Sequence, residues 1–495
     1  MKISNKTVLN ATKWSSIAEI AAKLIVPIVN MILARLLLPS AFGAVATINL
    51  IISFAELFTD AGFQKYIIQH EFASDEALDK STNVAFWTNL AFSVLLYSII
   101  VLFRHPLAKL AGNEALGNGM AVAGFSLVLV SFSSIQFARY RRSFDFKTLF
   151  YVRVITAAIP LVVTVPLALV FKNFWALVIG TLASKLAETV ILVAKSPWKP
   201  RFAYSFRLLK EMLSFSVWTM IESVTVWLTN YIGVFIVGNL LNDYYLGIYQ
   251  TSITTVNAYM NIITAAIIPV ILSTLSRLQN EKEAYSKTLM QFQKWVALLV
   301  IPMSLGLYVC RDLVTQILLG SQWTEASQLI GLWSLSSGFV IVFSNFSSVV
   351  YISKGKPKIS VFSHALHILF LIPTVYFAAR EGFAMLSATR ALIRLQGVVV
   401  NLVLLRVLLH IDVLQMIKNI LPCTVVSVLM ALVVSVLQRV SGHIVWSFVC
   451  IGVGVLFYAV ACALTPSIRR DLLGCTGKLK PIHSILVKLD HMFKK

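Results

Sequence analysis

Fourteen stretches of this sequence stay apolar for about 20 residues, and nothing else in the chain narrows its fold so far. A helix rises ~1.5 Å per residue, so about 20 such residues cross a ~30 Å hydrocarbon core. The stretches are 14–37, 42–69, 82–103, 116–137, 150–171, 173–194, 212–236, 246–275, 291–310, 326–352, 359–379, 382–405, 415–438 and 443–465. In lipid every backbone N–H and C=O must be satisfied within the protein, which leaves helices or a closed barrel. The alternation of every second residue that marks a barrel is absent. The prediction is an all-α integral membrane protein with about 14 transmembrane helices. Composition agrees: 58% of residues are hydrophobic and 13% charged, about half the charge of a soluble chain. A soluble enzyme, a disordered chain and a disulfide scaffold are thereby excluded. The five cysteines sit in the C-terminal third without C-x-x-C spacing, and read as small buried hydrophobes.

A net charge of +21 would suggest nucleic acid in a soluble protein. Here its distribution gives another meaning. Of 42 Lys and Arg, 30 fall in loops on the side of the N-terminus when Arg153, Lys294 and Lys418, near span ends, are counted with their loops, 6 in the opposite loops and 6 deeper within spans. Basic residues gather on the cytoplasmic side, so both termini are placed in the cytoplasm and no nucleic-acid partner is expected. Arg139, Arg141, Arg142, Lys147 and Arg153, Lys354 with Lys356 and Lys358, and the tail from Arg469 read as topology signals. The loop 70–81 departs from the pattern, carrying Glu71, Asp75, Glu76 and Asp79 against Lys80.

The chain repeats itself at an offset of 204. Trp14 falls on Trp218, Ile17 on Ile221, Leu24 on Leu228, Gly43 on Gly247 and Thr47 on Thr251. Six spans separate the copies, so the halves run parallel about an axis normal to the membrane, an arrangement used by transporters. The expected organisation is a six-helix lobe over 1–200, a second over 201–412, two additional helices over 413–465 and a basic cytoplasmic tail over 466–495.

Charges inside the spans are costly, and each is a functional hypothesis. Glu19 with Lys23, and Lys185 with Glu188, are spaced to pair on one helix face. Arg35 and Lys65 lie near span ends, where long side chains reach the interface. Arg390 and Arg394 stack four residues apart well inside span 12. Like charges at that spacing repel, so an anion or carboxylates from other helices are expected opposite them, and guanidinium forks suit phosphate oxygens. Glu222 has no counter-charge within its own helix; it is a candidate for carrying a coupling proton or cation, or for bonding a neighbouring helix. No G-x-x-x-x-G-K-[ST] loop is present to use ATP. No long soluble segment houses catalysis, and the scattered histidines, His364 and His367 included, suggest neither a metal nor another cofactor.

Several short motifs carry a family likeness. Ala34-Arg35-Leu36-Leu37-Leu38-Pro39 with Phe42-Gly43, Asp60-Ala61-Gly62-Phe63 running to Ile67-Ile68-Gln69, and Leu275-Ser276-Arg277-Leu278-Gln279 resemble the bacterial polysaccharide transporter family of Wzx-type oligosaccharide flippases. Gly320-Ser321-Gln322-Trp323 resembles the Gly-x-x-Trp of its colanic acid and teichuronic acid branch. The resemblance covers nearly the whole chain and extends to a superfamily shared with MATE drug exporters and lipid II flippases. It implies a two-lobed, V-shaped transporter of the bacterial inner membrane, not an enzyme. Such a protein carries undecaprenyl-pyrophosphate-linked oligosaccharides from the cytoplasmic to the outer leaflet for polysaccharide or lipopolysaccharide biosynthesis, alongside a polymerase and chain-length machinery. On that reading Arg390 and Arg394, with Lys23 and Arg35, face the pyrophosphate or acidic sugars. Glu222, Glu56 and Asp60 are the candidates for proton or sodium coupling. The alternative is a cation-coupled multidrug exporter of the same superfamily, which calls for acidic rather than basic cavity residues. The family's cationic cavity also draws arginines from early spans, where this chain offers Lys23 and the outer-end Arg35.

Overall fold

A computed structural model of the chain describes residues 25–60 and 62–470, without the side chains of 60, 214–219, 221, 222, 266 and 357. In chain order the helices are α1 (Ile25–Leu36), α2 (Pro39–Asp60), α3 (Phe63–Gln69), α4 (Asp75–Leu102), α5 (Arg104–Leu110) and α6 (Gly117–Arg142). There follow α7 (Phe146–Val162), α8 (Thr164–Phe171), α9 (Trp175–Lys195), α10 (Phe206–Leu240), α11 (Asp243–Arg277), α12 (Lys282–Val309) and α13 (Arg311–Leu318). The chain ends in α14 (Ala326–Phe339), α15 (Phe346–Ser353), α16 (Pro357–Arg380), α17 (Phe383–Leu409), α18 (Val413–Gln438) and α19 (Ile444–Leu464).

Among the described residues, 12 helical stretches are long and apolar enough to cross a membrane, and the bent pair within α11 makes 13. Each falls on an expected span. The remaining expected span, 14–37, lies partly outside the described residues; its described part is the apolar helix α1.

Local chemistry sets the helix ends. Ser74, Asp145 and Asp412 accept the backbone N–H of Ala77, Thr148 and Gln415, satisfying first-turn donors of α4, α7 and α18. The expected continuous span 42–69 is interrupted between α2 and α3, where Gly62 has φ 79°, a left-handed geometry open to a residue without Cβ. Pro160, in the last turn of α7, removes a helical donor and accompanies the break into α8 at Val163. Lys172, at φ 50°, terminates α8.

The chain divides into two compact units. The first takes the described residues up to Thr251, with Leu318–Trp323 and Val375–Phe383; the second takes Ser252–Ile317, Thr324–Thr374 and the described residues from Ala384.

In the first unit, Phe63, Tyr66, Ile67, Phe86, Ile135 and Met212 form a buried cluster uniting α3, α4, α6 and α10. Arg142 of α6 donates to the carbonyls of Ile67 (2.8 Å) and His70 (2.7 Å), capping α3 while its guanidinium lies 4.7 Å from the Phe72 ring centroid. Arg139 pairs with Asp79 and sits 5.8 Å from the Trp198 ring centroid. These two basic residues therefore tie helix ends together, beyond any part in topology, and one acid of the exceptional 70–81 loop is an arginine partner.

The repeat-related residues Gly43 and Gly247 meet. A Cβ on Gly43 would stand 1.8 Å from the Asp243 carbonyl oxygen, and one on Gly247 would stand 1.8 Å from the Pro39 carbonyl oxygen. The contact is reciprocal at the same offset of 204. Also in this unit, the Trp323 indole is fully buried, donates to the Ala34 carbonyl at 2.7 Å and meets Phe42 edge-on at 5.2 Å. Gln322 donates to the Arg35 carbonyl at 3.1 Å, so the Gly-Ser-Gln-Trp motif satisfies carbonyls at the end of α1.

In the second unit, α12 packs with α14 and α18, and α18 with α19. Cys310, Val434 and Cys450 form a small core. All four described cysteines are free and buried, as their spacing suggested.

Candidate functional site

The two intramembrane arginines converge on one indole. Arg394 lies with its Cζ 3.8 Å from the Trp333 ring centroid, and Arg390, buried at 5% exposure, with its Cζ at 5.2 Å. The negative face of an aromatic ring attracts guanidinium groups at such distances. Arg394 Nη1 also donates to the Trp333 carbonyl (3.0 Å), Ser336 Oγ (2.7 Å) and Ser337 Oγ (2.9 Å). Three oxygens share the two protons of one nitrogen. Trp333 is itself oriented by donating Nε1–H to Asn257 Oδ1 at 3.1 Å. The ring face thus contacts both guanidinium groups, and two hydroxyls and a backbone carbonyl accept from Arg394.

The helix below this platform is irregular. Residues 340–345, between α14 and α15, form a π-helical turn, a wider winding frequent at functional sites. Gln293 Nε2 donates to the Val342 carbonyl within it at 3.3 Å. One turn past Gly397 on α17, Asn401 Oδ1 accepts from Tyr351 (3.0 Å) and Ser363 (3.0 Å). His367 Nδ1 and Gln396 Oε1 are 2.9 Å apart, so this histidine serves a polar interhelical contact. A polar seam therefore links α14, α15, α16 and α17 through the apolar second unit.

The first unit holds a separate charged group. Lys185 Nζ and Glu188 Oε2 on α9 lie 3.9 Å apart, the pairing expected from their spacing. Both stand within electrostatic reach of Glu56 on α2. On α2 one turn earlier, Ser53 accepts the Trp227 Nε1–H at 2.9 Å, and Phe54 lies 4.9 Å from that ring.

The structure brings Arg390 and Arg394 together, and gathers Glu56 with Lys185 and Glu188. Arg35 is exposed at the end of α1, consistent with a span-end position. Lys23 lies outside the described residues, as do the side chains of Asp60 and Glu222. Trp333, Ser336 and Ser337 were not singled out from the sequence. Their signal was available in Ser334-Leu335-Ser336-Ser337-Gly338, a small polar run in an otherwise apolar span.

Comparison with known proteins places this architecture. The family model described as "Polysaccharide biosynthesis protein" matches residues 32–328. The chain belongs to this family. Its relatives include the succinoglycan biosynthesis transport protein ExoT of Rhizobium meliloti strain 1021, 25% identical over 70% of this chain and 69% of that protein. The teichuronic acid biosynthesis protein TuaB of Bacillus subtilis strain 168 is 19% identical over 77% of this chain and 78% of its own length. Among solved structures, the lipid II flippase MurJ in an inward closed conformation superposes with TM-score 0.74, covering 93% of this chain and 99% of MurJ at 14% identity. This member of the polysaccharide biosynthesis family is therefore a multi-pass membrane protein with a MurJ-like fold, and ExoT among its relatives is a transport protein.

Proposed function

We propose that the protein is a flippase for undecaprenyl-pyrophosphate-linked oligosaccharide repeats, moving them from the cytoplasmic to the outer leaflet of the bacterial inner membrane, with both termini cytoplasmic. The observation that carries this reading is the guanidinium pair fixed on Trp333 within the spans. A pyrophosphate offers several anionic oxygens to two arginines held at one ring, and replaces the Ser336 and Ser337 hydroxyls around Arg394 as it binds. A cationic drug gains nothing from such a site, which disfavours the multidrug alternative. The carriage of lipid-linked saccharides implied by the family likeness, the transport named in ExoT and the MurJ-like fold support the same substrate class.

Glu56, on the helix packed against the one that carries the Lys185–Glu188 pair, is the proposed coupling group, with Asp60 and Glu222 as further acids on the same or neighbouring spans. A proton or sodium ion taken up at Glu56 neutralises its charge near the Lys185–Glu188 pair, so occupancy alters the electrostatics between α2 and α9. The polymer's synthesis downstream requires a polymerase and chain-length machinery as partners.

The test is polymer production in cells lacking the gene and complemented with R390A/R394A or R390K/R394K, alongside membrane expression. Normal expression, abolished export and accumulation of lipid-linked intermediate are expected for the alanine pair, with partial export for the lysine pair because the bidentate fork is lost. Normal export from the alanine pair refutes the anion role.

A further inference from the structure

Residues 196–210, Ser-Pro-Trp-Lys-Pro-Arg-Phe-Ala-Tyr-Ser-Phe-Arg-Leu-Leu-Lys, connect α9 to the first turns of α10. Two prolines hold the connection extended, and it is pinned along its length to α4. Arg201 N–H donates to Asn83 Oδ1 and its carbonyl accepts from Trp87 Nε1, both at 2.9 Å. Tyr204 and Thr88 share a hydroxyl hydrogen bond of 2.9 Å. Trp198 is buried, with its ring 5.9 Å from Phe86.

This fixed backbone turns an unusual set of side chains outward. Phe202 is 89% exposed and Phe206 79%. Arg201, Arg207 and Lys210 are exposed beside them. Glu211, the next acid, accepts from the Tyr66 hydroxyl at 2.9 Å, so it is engaged on α3. Two outward rings and three cations, beside Lys199 whose ammonium donates to the Val193 carbonyl, match a partner that is apolar in one layer and anionic in the next. The membrane interface has that profile: aromatic rings settle at headgroup level and basic side chains meet anionic lipid phosphates. A topology signal needs neither the exposed rings nor the fixed backbone.

We infer that the 196–210 connection is an interfacial anchor, seating Phe202 and Phe206 at the boundary of the cytoplasmic leaflet and binding anionic phospholipid headgroups through Arg201, Arg207 and Lys210. Charge complementarity selects anionic over zwitterionic lipid. The anchor sets the depth at which α10 begins, because Ser205, within it, is the N-cap of α10. The leaflet assignment rests on the topology proposed above; the lipid contact does not.

The test uses the full chain in nanodiscs of phosphatidylcholine with or without phosphatidylglycerol. Phe202→Cys, in a background with the native cysteines replaced by alanine, carries a polarity-sensitive fluorophore, and lipids bearing shallow nitroxides serve as quenchers. Quenching of at least twofold is expected, together with a blue-shifted emission. Native mass spectrometry of the unlabelled protein with its cysteines intact reads retained phosphatidylglycerol, expected to fall at least threefold in R201Q/R207Q/K210Q. Water-like emission without quenching, or unchanged phosphatidylglycerol retention, overturns the anchor. So does protection of the introduced thiol by a soluble protein without nitroxide quenching. Labelling of that thiol by an impermeant reagent in intact cells overturns the topology instead, whatever the quenching shows.

Discussion

Replacing Trp333 by leucine removes the face on which both arginines rest while leaving its backbone carbonyl available to Arg394. At 3.8 Å the Arg394 contact is close, and at 5.2 Å the Arg390 contact is longer. Shielded from water, they are worth about 2 and about 1 kcal/mol. Loss of the Asn257 hydrogen bond adds about 1 kcal/mol. Trp333→Leu is therefore expected to destabilise the protein by about 4 kcal/mol, before any cost for volume. Trp333→Phe, which retains a weaker aromatic face, loses roughly half as much. A cycle of Trp333→Leu with Arg394→Gln isolates the pair. Reversible unfolding in mixed micelles, followed by circular dichroism, should give a coupling of about 2 kcal/mol, or ~30-fold in the equilibrium constant. Additivity within about 0.5 kcal/mol would show that the ring does not hold Arg394, and the argument for how α17 tolerates its charges would fail.

Gly43→Ala and Gly247→Ala should each cost about 3 kcal/mol or more, because backbone carbonyls 1.8 Å from the new Cβ cannot rotate aside; thermal unfolding of the two variants checks this, and a wild-type midpoint in either contradicts it. Glu56→Gln should abolish ion-gradient-dependent transport in proteoliposomes while expression is retained, and Glu222→Gln should do so if the second acid shares the role; unaltered ion dependence in both removes these acids from coupling. For topology, an impermeant thiol reagent on intact cells should label Asn242→Cys and spare Lys356→Cys. The opposite pattern overturns the cytoplasmic placement of the termini.

The sequence made the helices legible because length and hydropathy decide a span almost alone. Their interruptions were harder to read. The break between α2 and α3 at Gly62 falls inside a stretch of span length, where Asp60 and the glycine's left-handed backbone angle mark it. The stacking of Arg390 and Arg394 followed from helical periodicity, but what surrounds them did not. Trp333 lies 57 residues before Arg390, in a span rich in apolar residues, and nothing local distinguishes a ring that faces lipid from one that carries two cations. Likewise the spacing of Lys185 and Glu188 predicted their pairing, whereas Glu56 joined them only through the packing of α2 with α9.

The glycine crossing bears on how the two halves of such a chain meet. Pro39 and Gly43 are to Asp243 and Gly247 what those residues are to Pro39 and Gly43. That is an isologous contact, the kind formed by two identical subunits about a two-fold axis. Two copies of a single half, paired about such an axis, would meet in the same way. In a pair of identical halves, one substitution at the glycine strikes both sides of the crossing together. In this chain the halves differ at Pro39 and Asp243, whose carboxylate accepts from the Asn113 side chain, while the close approach of the two backbones leaves no room for a Cβ at either glycine.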